Sequence, residues 1–402
     1  MKGTTILLLI SLSLVAQGLE WKTGGQLELR GDGYFSHKSS EAEDAFAEMR
    51  LKPKVTAVFS KHFLIHAEGD LRLDSAGFAQ GVFDDSTGHR PIVGARELYA
   101  ETSWKWLRLR LGKQVFDWSV TDTVSPNDNI CPRDLTDVID WERMGVPAVD
   151  IRLGYDKYLE LVYVPWFTPS RLPASERWGQ ALPNNLELGE PENGHGQLAL
   201  RAGCTIKGWD LGASFYDGLS YTPSFELKLP KQIIPTYREE QVIAISLATE
   251  ISSGYNLRAE AGYFRQKNAD DFLQCVVGVD HEWNKPFRKT DSLSVLLQYA
   301  FEVETRKETP DLFRAKDFRR GLDGALLYRI KYTPNDTGRW SVELSGSLNL
   351  EHGDAYFEPS LTWRKDDFEV KAGLGVPLGE KDTFMGQYRE NPRCFAETAW
   401  KF

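Results

Sequence analysis

Alternation with a period of two runs through this 402-residue chain almost from end to end. In "LRLRLG" (107–112), Leu107, Leu109 and Leu111 share one face and Arg108 and Arg110 the other. "WSVELSGSLNL" (340–350), "LSVLLQYAFEV" (293–303), "FEVKAGLGV" (368–376) and "AEMRLKPKVTAVF" (47–59) repeat the pattern. Successive side chains of a strand point to opposite faces, so this spacing predicts strands. A helix needs apolar residues three and four apart, and no long stretch supplies them. The closing "CFAETAWKF" (394–402) alternates in the same way and stops on Phe402.

The alternating segments are separated by two kinds of connection. Tight turns such as "SKH" (60–62), "KG" (207–208) and "RKDD" (364–367) take turns with long polar stretches at 76–92, 117–145, 167–194, 221–237, 305–319 and 378–391. That rhythm, with alternation that is half apolar, predicts an all-β, antiparallel transmembrane barrel. In a bilayer every backbone polar group needs an internal partner, and only a closed barrel provides this for strands. We count eighteen strands, with sixteen as the alternative. They run from 24–36 to 392–402 and include one at 320–333. An even number places both termini in the periplasm. A lumen-facing set of wet residues explains how 26% of the chain can be charged while aromatics reach 12%. Trp400 and Phe402 are expected in the aromatic girdle at the membrane interface.

Residues 1–18 read as a cleaved signal peptide: "MKG", the apolar run "TTILLLISLSLVA", then small residues at "AQG". Residues 19–402 then form one outer-membrane barrel domain. The formal charge of −10 argues against nucleic acid as a partner. The expected surroundings are the lipid and lipopolysaccharide of the outer membrane and small hydrophilic solutes, with homo-oligomers an option. Four scattered cysteines show no metal spacing and no dense disulfide framework.

With the faces assigned, a lumen wall can be read. Its basic candidates are Arg30, Arg50, Lys52, Arg72, Arg108, Arg110, Arg152, Arg201, Arg258 and Arg329. Its acidic candidates are Glu48, Glu68, Glu97, Glu101, Glu260 and Glu343. The two signs interleave, which suits a water-filled channel. The connection "FDWSVTDTVSPNDNICPRDLTDVIDWERMG" (116–145) is acidic: Asp117, Asp122, Asp128, Asp134, Asp137, Asp140 and Glu142 outnumber Arg133 and Arg143. "PRDLTDVIDW" is expected to form a helical turn or two. Folded inward, the loop would be an acidic constriction favouring cations. A calcium site within 117–142 is a second reading, although the spacing lacks the glycine and final glutamate of a helix-loop-helix calcium loop.

The segment 112–173 resembles a family of largely uncharacterised porin-like outer-membrane proteins of Gram-negative bacteria. The likeness rests on Gly112, Lys113, Gln114, Trp118, Pro126, Asp128, Pro132 and Asp134, and on "YVPWFTPSRLP" (163–173). It covers roughly one-seventh of the chain and implies a porin or exporter without naming a substrate. The architecture is more distantly similar to alginate-export barrels. Four histidines, His66, His195, His281 and His352, are the candidates for catalysis, but no Ser or Asp stands at a compelling spacing, and no enzyme is expected. His66, beside Glu68 and Asp70, is expected to sit in a structural ion pair. The leading expectation is a weakly selective channel. The alternatives are a dedicated route for an anionic polymer or oligosaccharide and a barrel that sheathes a partner protein.

Overall fold

The computed structural model describes residues 19–36, 44–86, 88–173, 178, 187–188, 196–228, 232–252, 254–308, 319–334 and 338–402. The expected leader (1–18) and His195 lie outside them. Eighteen strands form one sheet. They are β1 (Glu20–Tyr34), β2 (Ala45–Ser60), β3 (Phe63–Asp74), β4 (Val93–Trp104), β5 (Leu107–Gln114), β6 (Val146–Gly154), β7 (Lys157–Val164), β8 (Gln197–Ile206), β9 (Trp209–Leu219), β10 (Glu239–Ser252), β11 (Tyr255–Gln266), β12 (Asp271–Asn284), β13 (Ser292–Arg306), β14 (Ala325–Thr333), β15 (Trp340–Asn349), β16 (Ala355–Lys365), β17 (Phe368–Leu378) and β18 (Arg393–Lys401). Each pairs antiparallel with its chain neighbours, and β1 pairs with β18 in the register Leu27 opposite Trp400 and Arg30 opposite Glu397. The sheet therefore has no edge, as an all-β span of a bilayer requires.

The outer face carries the apolar half of the alternation. On β10, Ile243 and Ile245 are 63% and 59% exposed, while Val242 and Ala244 between and beside them are buried. Leu29, Met49, Leu98, Leu111 and Val277 continue the exposed band. Trp21, Phe59, Phe63, Trp104, Trp209, Trp283, Trp340, Phe368, Trp400 and Phe402 cluster at the tight-turn ends of their strands and are also exposed. An apolar belt of this extent with an aromatic rim is satisfied by lipid.

Two expectations are corrected. The strand expected from 320 begins at Ala325, because residues 319–324 form turns ending at Gly324, whose φ of +72° suits glycine. The helical turn expected within 132–141 is absent. Arg133–Asp134 instead pair with Glu142–Arg143 as a minimal ladder. The backbone there finds partners outside a helix: Leu135 N–H donates to the Arg171 carbonyl at 2.9 Å, and Arg171 N–H donates to the Arg133 carbonyl at 2.9 Å.

The hydrophobic core sits inside the barrel. Phe116, Trp118, Ile130 and Cys131 of the loop after β5 pack on inward-facing Val146, Val162, Val164, Val242, Phe264 and Phe272 of β6, β7 and β10–β12. Part of the lumen wall is thus apolar, and the loop covers it.

Candidate functional site

The loop between β5 and β6 lies inside the barrel and crosses it. At one wall, Glu260 of β11 accepts the Val120 N–H at 3.0 Å, the Asn127 amide at 2.9 Å and the Thr121 hydroxyl. Ser214 of β9 donates to Asn127 Oδ1 at 2.6 Å, and Gln298 of β13 accepts the Asp122 N–H at 3.2 Å. At the other wall, Asp137 Oδ2 lies 2.7 Å from Arg30 on β1 and 2.9 Å from Arg393 on β18. Glu142 meets Arg50 on β2 and lies 3.0 Å from Arg72 on β3. β2 and β11 stand nine strands apart in a ring of eighteen, so the two attachments are diametrically opposed.

Every one of the seven acidic candidates in the loop faces an arginine. Asp134, buried, is clamped by Arg90 at 2.7 Å and Arg171 at 2.8 Å. Asp128 lies 2.7 Å from Arg133 and 2.6 Å from Arg143. Asp117 lies 3.0 Å from Arg143, and Asp140 lies 2.7 Å from Arg30. Asp122 is looser, 3.5 Å from Arg329 and 3.9 Å from Arg258. Arg133 is itself buried, its guanidinium 4.5 Å from the Tyr221 ring and 5.0 Å from that of Trp141.

Burial alone would raise these carboxyls, because it removes water from the charged form. The arginines outweigh it. Arg90, then Arg171, hold Asp134 well below the usual carboxylate range. Arg393 and Arg30 do the same for Asp137, and Arg50 and Arg72 for Glu142. The acids therefore stay ionised and act as fasteners. Charge-assisted bonds of this kind are the stronger class of hydrogen bond.

The remaining wall candidates find partners on the wall, in the loops or on aromatic rings. Lys52 reaches Glu28 at 2.7 Å, Glu48 reaches Arg90 at 3.1 Å, and Arg110 reaches Glu101 at 2.6 Å. Arg108 bridges Asp150 at 3.0 Å and Glu160 at 2.9 Å. Glu68 takes Lys54 at 3.0 Å, and Glu97 accepts the Val115 N–H at 3.0 Å. Arg258 reaches Asp280 at 3.1 Å. Arg152 lies over the Tyr158 ring at 3.8 Å, and Arg201 stands 5.7 Å from that of Trp118. Glu343 stands opposite Lys331 across β14 and β15.

Three site residues escaped the sequence reading. Arg90 and Arg171 lie in long connections, where no periodicity assigns a face. Arg393 opens β18 and falls within the expected strand 392–402 with the same parity as lumen-facing Glu397, so the alternation alone would have placed it.

Two cavities flank the loop. The larger, about 480 Å³, lies against β1–β3 and β17–β18. Its lining holds seven acids (Glu28, Glu48, Asp137, Asp140, Glu142, Glu369, Glu397) and five bases (Arg30, Arg50, Arg72, Arg90, Lys371). The smaller, about 340 Å³, lies between the loop and β12–β16. It has four of each sign: Asp122, Asp128, Glu343 and Glu358 against Arg133, Arg143, Arg319 and Arg329. All four cysteines, Cys131, Cys204, Cys275 and Cys394, are free thiols.

No family model matches the chain, and no curated protein matches it. Among solved structures it is similar to OmpF of Salmonella typhi in complex with daunomycin, with 10% identity, TM-score 0.48, and coverage of 96% of this chain and 98% of that one. A mutant porin of Rh. blastica aligns with 8% identity and TM-score 0.46 over 95% of this chain and 100% of that one. OmpT of Vibrio cholerae aligns with 8% identity and TM-score 0.44 over 97% and 99%. At that distance no residue role carries over from them.

Proposed function

We propose that this chain is a non-catalytic, water-filled channel of the Gram-negative outer membrane. It would pass small hydrophilic solutes or ions through a lumen narrowed by the 116–145 loop. The observation that carries the reading is the loop's attachment to opposite walls with a charged cavity on either side of it. A loop held by buried ion pairs sets a fixed aperture, and walls of both signs keep the remaining space wet. The exposed apolar belt supports residence in a bilayer, and the strand construction supports the outer membrane in particular.

A route for a polyanion would favour a lumen dominated by arginine and lysine. Here Glu28, Glu48, Glu369 and Glu397 line the larger cavity, which weighs against that reading. A sheath for a partner protein would need a lumen that its own loop did not occupy.

The test is conductance across a planar bilayer under a salt gradient, with folded protein purified from outer membranes. Discrete, long-lived steps are expected, with a small reversal potential of the sign that marks cation preference. Silence from correctly folded protein would remove the channel reading.

A further inference from the structure

A cluster of metal-ligating side chains stands apart from the loop's own fasteners. His66 and Glu68 on β3 and Glu97 on β4 each offer one ligand atom, and the three atoms lie within 4.8 Å of one another. Glu68 and Glu97 are direct cross-strand partners. Immediately beyond them the register shifts, so that Gly69 faces Ala95 and Arg96 is left over. A bulge of this kind re-aims side chains. Here it lets Arg96 and Glu97, adjacent in sequence, both reach lumenal carboxylate and imidazole groups: Arg96 lies 3.6 Å from Glu68, and Glu97 lies 3.9 Å from His66.

The supporting contacts match those of metal ligands. His66 Nδ1 is 2.8 Å from the Thr56 hydroxyl, which leaves Nε2 as the atom facing Glu97. Glu97 spends Oε1 on the Val115 N–H at 3.0 Å and turns Oε2 toward His66. Orientation of ligands by outer hydrogen bonds is the rule in metal sites. Glu68 is buried, with Lys54 at 3.0 Å and Arg96 at 3.6 Å as its counter-charges. The Lys54 side chain is 49% exposed, so its ammonium keeps water within reach.

We propose that His66, Glu68 and Glu97 form a binding site for a divalent transition-metal ion. Imidazole with carboxylates suits zinc and its neighbours better than calcium or magnesium, which prefer all-oxygen shells. An ion with bonds of about 2.0–2.2 Å draws its ligands closer than they stand here. Rotation of the Glu97 carboxylate about its hydrogen bond to Val115 and the departure of Lys54 from Glu68 supply that contraction. Three protein ligands leave positions open to water or to a passing solute. The site does not depend on the barrel conducting, so its test and the channel test fail separately.

The experiment is calorimetric titration of the folded, tag-free barrel in detergent with zinc ion alone, with far-UV circular dichroism and heat-dependent electrophoretic mobility verifying the fold of each variant. One zinc per chain is expected. His66→Ala and Glu97→Gln each weaken it by at least about tenfold, the size of effect that even an orienting partner has on metal affinity. Lys54→Met removes the competing ammonium and tightens binding severalfold, an outcome that a merely structural cluster does not produce. His281→Ala, remote in the Tyr255–Trp283 aromatic stack, leaves binding unchanged. Absence of saturable binding, or binding that His66→Ala does not alter, overturns the site. Unchanged or weaker affinity in Lys54→Met overturns Glu68 as a ligand and the three-ligand site with it.

Discussion

Asp137 and Arg393 meet at 2.9 Å although 256 residues separate them. Arg393 opens the last strand, and Arg30, the other partner of Asp137, belongs to the first. A single carboxylate thus ties the inward loop to both strands of the seam where the barrel closes. The aperture and the closure share one fastener.

Asp137→Asn is therefore expected to loosen the loop. Removing one partner of a buried pair costs roughly 3–5 kcal/mol where nothing compensates. Here Arg30 keeps Asp32 at 3.0 Å and Asp140 at 2.7 Å, so the cost falls toward or below the lower end. Single-channel recording should show larger and noisier openings than the parent. Openings of parental size and quiet would mean that Glu142 and Asp134 hold the loop without Asp137.

The same ion pairs fix a pH response. The folded carboxyls of Asp134, Asp137 and Glu142 lie below their ordinary values of 3.8, 3.8 and 4.5. A depressed folded pKa contributes stability above the unfolded value and loses it as pH falls through the folded one. The loop should stay attached from about pH 8 to pH 5, read as parental single-channel noise, and come loose only in strong acid, below the ordinary carboxylate range. Onset of the noisy openings expected of Asp137→Asn near pH 6 would contradict this latch.

The strands were legible because lipid outside and water inside impose a period of two along each one. The loop was legible only in its charge, because acids mark the segment but not their partners. Arg90 and Arg171 sit on connections with no period to place them. The apolar lumen patch was also hidden: "LVYV" (161–164) and "VIAI" (242–245) are apolar on both parities, so sequence could not reveal that Val162, Val164 and Val242 face inward under the loop.

Exposure separates two substitutions that sequence treats alike. The Asp140 side chain is 59% exposed at the larger cavity, whereas that of Asp134 is 2% exposed. Asp140→Asn should shift the reversal potential toward anions while leaving heat resistance unchanged. Asp134→Asn should do the reverse, lowering the temperature at which the folded band disappears in electrophoresis and leaving the potential where it was. Equal shifts of potential in both would place Asp134 in contact with permeating ions.

Cys131 reports on the loop's packing. It is fully buried, its sulfur accepts the Phe116 N–H at 3.1 Å, and burial pushes the thiol up to about 12. The thiolate is the reactive form, so maleimide at pH 8 should leave Cys131 unmodified in the folded barrel and label it after denaturation. Labelling should become measurable in Asp137→Asn if that substitution frees the loop. Rapid labelling of the parent protein would mean that the loop already leaves the lumen.

The terminal Phe402 closes the seam against Gly25. Gly25 N–H donates to the Phe402 carbonyl at 2.9 Å, and Phe402 N–H donates back at 3.1 Å. A Cβ on Gly25 would stand 2.6 Å from the Phe402 ring and 2.8 Å from the Lys52 carbonyl. The ring can rotate away, but the carbonyl belongs to the β1–β2 ladder and cannot move without disturbing it. Gly25→Val should therefore lower the temperature at which the barrel opens, read by heat-dependent electrophoretic mobility. Adding Phe402→Ala should restore only part of the loss, because the clash with the ladder remains. Full restoration would assign the whole effect to the ring, and an unchanged temperature in Gly25→Val alone would show that the seam has room to spare.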